Sequence, residues 1–103
     1  MEGLPPLVDT HCHLAWDTLR DETDAVVARA RAAGVEQMVV VATDARSAEA
    51  SAAVCAGREG LFPTAGLHPN DIPEDYDAEW VRLEALLRSG RFVAVGETGL
   101  DTY

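Results

Sequence analysis

Four short runs rich in valine and leucine alternate with three stretches of helical periodicity, and this order constrains the fold more than any other feature of the chain. Leu7 to His11, entered from Pro5-Pro6, reads as a first strand. Met38 to Val41, joined by Val35, is apolar on both faces, as a strand covered on both sides of a parallel sheet is. Leu61 to Gly66 is a third strand, weakened at its middle by Pro63, and Phe92 to Gly96 is a fourth. Between them, Thr23 to Ala33 puts Val26, Val27, Ala30 and Ala33 on one helical face, with Asp21 or Thr23 as its cap and Gly34 as its stop. Thr43 or Asp44 caps a second helix that runs to about Arg58, closed by Gly57 and Gly60. Asp77 caps a third, with Trp80, Leu83, Leu86 and Leu87 on one face, ending at Gly90. The resulting order βαβαβαβ predicts a parallel sheet with crossover helices. No linker or low-complexity segment divides it, so residues 1–103 read as part of one domain.

A chain of 103 residues can bury one small core. It falls short of the roughly 250 residues that a (β/α)8 barrel uses. The net charge of −10, spread along the chain, argues against a basic groove for nucleic acid. A nucleic-acid substrate would need positive charge from elsewhere, and bound cations can provide it. Cys12 in a strand and Cys55 in a helix have no framework spacing, so both read as buried thiols in a reducing compartment. The opening MEGLPPLVD has neither the basic nor the apolar region of a signal peptide, and no apolar run approaches the ~20 residues of a membrane span. A cytoplasmic protein with no membrane partner is expected.

Three of the strands finish in residues that do chemistry: Asp9-Thr10-His11-Cys12-His13, Gly66-Leu67-His68-Pro69 and Gly96-Glu97-Thr98-Gly99-Leu100-Asp101. The chain's three histidines all lie at such ends, which in a barrel form the active-site face. Side chains two apart on a strand point the same way, so His11 and His13 can offer nitrogens to one cation while Cys12 faces away. Two histidines with ordinary hydrogen bonds are the simpler alternative. Glu97 follows Val93 and Val95 on one face, so it is expected to point inward and across to both imidazoles, where a metal would offset its burial. A Glu97 solvated in the loop is the alternative. His68, held extended by Pro69, could contact substrate, donate to a phosphate, stand behind the metal ligands or bond to backbone. Asp101 could orient a ligand or cap the next segment, and Asp9 reads as a supporting or loop-bonding carboxylate. Trp16 and Trp80 read as core or rim packing, and the acidic stretch from Asp71 to Glu79 as a solvated loop and helix first turn.

Together, the three motifs, in this order and spacing, resemble the TatD family of metal-dependent DNases. The similarity runs along essentially the whole chain but matches only the first part of a family member. It implies the N-terminal half of a TIM-type, amidohydrolase-like (β/α)8 barrel with one or two divalent cations, magnesium, manganese or zinc. Carried over by position, His11 and His13 would hold one metal, Glu97 would ligate and bridge two, and His68 would lie beside a substrate phosphate. Asn70 stands where many members have another histidine. The family completes its site with two histidines and an aspartate from later strands, beyond Tyr103, and that aspartate would be the general base. The implied activity is phosphodiester hydrolysis on DNA by a metal-activated water. Hydrolysis of an amide or small phosphate ester, or an inactive fragment that associates through open sheet edges, are the alternatives.

Overall fold

The computed structural model describes residues 3–102. The β-branched and leucine-rich runs form β1 (Leu7–Cys12), β2 (Val35–Val40), β3 (Leu61–Ala65) and β4 (Ala94–Val95). They pair in parallel in the order β1-β2-β3-β4, so β1 and β4 lie at opposite edges. The register sets Met38 beside both Asp9 and Leu61, and Ala65 beside Val95. Pro63 lies inside β3 and contributes its carbonyl, which accepts from the Val93 amide at 2.9 Å. β4 is shorter than its valine run suggests: only Ala94 and Val95 pair regularly with β3. The Val93 and Gly96 amides nevertheless extend the bonding to β3 at either end.

Each crossover is a helix: α1 (Thr23–Ala32), α2 (Ala45–Cys55) and α3 (Tyr76–Arg88). Two of their starts and one of their ends differ from expectation. Neither Asp21 nor Thr23 caps α1; a 3-10 turn over Arg20–Glu22 runs directly into it, and Thr23 is its first residue. Asp44 caps α2 in a reciprocal box, its carboxylate accepting from Ser47 N at 2.7 Å while Ser47 Oγ accepts from Asp44 N at 3.0 Å. Asp75, not Asp77, caps α3 through Ala78 N at 3.1 Å, which leaves Asp77 in the first turn to face the helix dipole. α2 stops at Cys55, three residues before Arg58, as the chain turns toward Gly57 at φ +72°.

Two apolar clusters bind the layers. Leu14, Val27, Met38, Val40, Val54 and Leu61 join α1 and α2 to the sheet. Ala42, Ala45, Ala48, Ala65, Leu83 and Leu86 join α2 and α3 to it, the alanines letting the backbones come close. Trp16 and Trp80 are not core residues: they are 57% and 44% exposed. Cys55 is buried and Cys12 half-buried, both as free thiols. No helix among the described residues is long and apolar enough to cross a membrane.

Candidate metal centre

β1 delivers two imidazoles to its C-terminal end. The His11 and His13 rings stand 5.0 Å apart, edge to face at 74°. Asp9 acts locally, its carboxylate accepting the His11 amide at 3.0 Å. Cys12 takes the other face and directs Sγ at Val39 O, 3.4 Å away. Burial, with help from the Asp9 charge, pushes its thiol up to about 11. It stays protonated and outside the site.

Glu97 arrives from the opposite edge strand. Its position is fixed by the backbone around it. Gly96 N donates to Ala65 O at 2.9 Å and Glu97 N to Ala42 O at 2.7 Å, while Thr64 Oγ1 donates to Gly96 O at 2.8 Å. The Gly96–Glu97 peptide is cis. Gly66 lets this segment close in: a Cβ there would lie 2.8 Å from Glu97 O and from Gly96 C. The carboxylate ends 3.6 Å from His11 Nε2 and 3.9 Å from His13 Nε2. β1 and β4 are not neighbours, so this meeting spans one face of the sheet, as the valine alternation predicts.

The three donor sets lie within 4.8 Å of one another. The N···O gaps are too long for direct hydrogen bonds. They suit a shared ion, because two ligands about 2.1 Å from one cation at a tetrahedral angle stand about 3.4 Å apart. Two neutral nitrogens and one carboxylate also form a borderline-to-hard donor set that suits divalent cations. The residues present fit the group.

His68 joins from the loop after β3, its amide donating to Thr43 O at 2.8 Å. Its Nδ1 accepts the Asn70 amide at 3.1 Å, so the neutral ring carries its proton on Nε2. That atom faces Glu97, 4.0 Å from the carboxylate. His68 therefore bonds to backbone and presents a donor to the site at once. Asp101 stays exposed, outside the cluster of donors.

Two features escape the sequence. The carbonyls of Ala42 and Thr43, just beyond β2, hold Glu97 and His68 in place, and backbone groups leave no residue signature. Trp16 stacks on His13, with centroids 4.4 Å apart and planes at 27°. Its position three residues after His13, in a turn, is the only signal that could have suggested it.

Known proteins resemble this chain in sequence and fold. A family model described as TatD related DNase matches residues 8–103. The 3'-5' ssDNA/RNA exonuclease TatD of Cronobacter sakazakii is 41% identical over 80 residues, covering 78% of this chain and 30% of that protein. The deoxyribonuclease Tat-D of Schizosaccharomyces pombe is 35% identical over 94 residues, 79% of this chain and 29% of that one. The crystal structure of YjjV, a TatD homolog from Escherichia coli K12, superposes with a TM-score of 0.86 at 32% identity, over 94% of this chain and 38% of that one. This chain thus spans about a third of the length of its relatives. Its four parallel strands and three crossover helices form a half-barrel that matches the N-terminal part of that TIM-barrel fold. With the motifs, the topology and the family match in agreement, the chain belongs to the TatD family of metal-dependent hydrolases.

Proposed function

We propose that this chain is the first half of a single hydrolase barrel that cleaves phosphodiester bonds in DNA or RNA with one or two divalent cations, magnesium, manganese or zinc. The observation that carries the reading is the convergence of His11, His13 and Glu97, from opposite edges of the sheet, on one point. His11 and His13 would hold the cation, and Glu97 would add the charge that keeps it there. When bound, the cation supplies Lewis acidity and a water of lowered pKa. His68 donates its Nε2 proton to a phosphate oxygen and so orients the ester and offsets charge that develops on it. Strands beyond β4 supply the general base. The free thiols Cys12 and Cys55 accord with a reducing cytoplasm.

The test is to measure bound metal and cleavage of single-stranded DNA and RNA in the wild type and in His11→Ala, His13→Ala and Glu97→Gln. Metal content and activity are expected to fall together in all three. Unchanged metal stoichiometry in the two histidine variants would overturn the site. Turnover of a small amide or phosphate ester, with nucleic acid untouched, would overturn the substrate.

A further inference from the structure

Trp16 is a large indole held at the protein surface beside the metal centre. It is 57% exposed and stacks on His13. It is well anchored. Its amide donates to His13 O at 3.2 Å, its carbonyl accepts from Leu19 N at 2.9 Å, and Leu14 and Ala15 before it are buried. A rigid, exposed aromatic of this kind offers contact area at low entropic cost.

The indole lines a cavity of about 710 Å³ together with Asp17, Asp44, Arg46 and Glu49. That volume lies within the roughly 300–1,000 Å³ of small-molecule sites. The walls select against a phosphate. Three acidic residues line it against one arginine. The start of α2 has little left to offer an anion either. The Thr43 and Asp44 amides donate to Ser47 Oγ, the Ser47 amide to Asp44, and the Ala45 amide to Glu79 Oε1 at 2.7 Å. A flat uncharged ring bearing amino groups suits these walls: it stacks on the indole and donates to carboxylates.

We propose that Trp16 is the stacking platform for the nucleobase next to the scissile phosphate, with the base in this cavity and its phosphate at His11, His13 and Glu97. The assignment rests on the phosphodiesterase reading above. Trp16 is the link between the two: it lines the cavity and stacks on His13 with centroids 4.4 Å apart, which on this proposal sets the base one ring away from the metal centre. Such stacking tolerates every base, because each has a π face.

The experiment compares, with manganese, two single-stranded oligonucleotides: one with a normal nucleotide at the cleaved position and one abasic there. Wild type, Trp16→Phe and Trp16→Ala are each assayed on both. The wild type is expected to favour the base-bearing oligonucleotide by about 5- to 150-fold in KM. Trp16→Phe retains most of that ratio and Trp16→Ala brings it near one. Because the ratio is taken within each variant, any metal lost through the disturbed His13 ring cancels, and metal content is measured beside it. Equal KM on both oligonucleotides in the wild type, or a ratio unchanged in Trp16→Ala, overturns the platform and leaves the phosphodiesterase reading standing. No cleavage of either by the metal-loaded wild type overturns that reading, and the platform with it.

Discussion

Gly66 is the residue through which packing most directly controls the proposed metal centre. In Gly66→Ala the new Cβ would stand 2.8 Å from Glu97 O, 2.8 Å from Gly96 C and 2.9 Å from Gly96 Cα. All three are backbone atoms, so no side chain can swing aside. Carbon contacts are comfortable at about 3.5–4.0 Å, so the segment must retreat by roughly 0.5–1 Å. Overpacking of this kind costs about 1–3 kcal/mol in stability. The displaced group is Glu97 itself, whose carboxylate stands 3.6 and 3.9 Å from the two imidazoles. Metal sites tolerate ligand errors of only about 0.2 Å, and disturbing the support of a ligand costs about 10- to 100-fold in affinity. Gly96→Ala is the control, since a Cβ there would meet nothing within 4 Å. Chemical denaturation measures the first effect and calorimetric titration with manganese the second. If Gly66→Ala keeps wild-type metal affinity, or if Gly96→Ala is equally harmful, the close approach of β3 to Glu97 does not position the site.

Leu83→Ala should cost near the upper part of the roughly 2–5 kcal/mol range for such truncations, because Leu83 is wholly buried and alanines 42, 45, 48 and 65 around it cannot reach in to fill the hole. A loss below about 1 kcal/mol in urea unfolding would show that the second cluster is loosely packed. Burial pushes the Cys55 thiol from 9.0 up to about 12, so the folded chain holds that proton more tightly than the unfolded one. The stability this contributes is present below pH 9 and is lost as the pH rises from 9 toward 12. Wild-type Tm should therefore fall more steeply than that of Cys55→Ala over this window, and parallel curves would refute the assignment. Residues 1–103 expressed alone should run larger than 11.0 kDa in analytical ultracentrifugation, since both sheet edges are unpaired and Val8, Val93 and Val95 are exposed. A well-behaved monomer with nuclease activity would contradict both that expectation and the half-barrel reading.

The order of elements was legible because each strand and helix carries its own pattern. β2 is apolar on both faces and α3 has leucines at helical spacing, and both patterns follow from burial against neighbours present within this chain. Element ends were less legible, because a cap depends on which of several nearby acids the backbone turns toward. Asp75 and Asp77 are equally good cap residues by type, and only the non-helical backbone at Asp75, φ −91° and ψ 72°, selects the former. At α1 the incoming 3-10 turn makes a side-chain cap unnecessary. β4 is shorter than Phe92 to Gly96 for a different reason: valine content reports the potential to pair, and only Ala94 and Val95 pair regularly, with Thr64 and Ala65.

That His11 and His13 share one face was legible from alternation, since spacing by two on a strand sends both rings the same way. Glu97 followed by the same logic from Val93 and Val95, even though regular pairing stops before it, because Ala65 and Ala42 carbonyls carry its backbone onward. Trp16 was not legible as part of the site. Its stack on His13 exists only because the turn bonds Trp16 N back to His13 O, a closure that residue types do not announce. This matters for how so acidic a chain would meet nucleic acid. A net charge of −10 gives no diffuse attraction to a polyanion, which is the usual source of non-specific affinity. Recognition on the proposed reading must then be local: a cation for the phosphate and an indole for the base. The acidic walls beside Trp16 fit that division, because they repel phosphate from the base cavity and leave the metal centre as the favourable place for it.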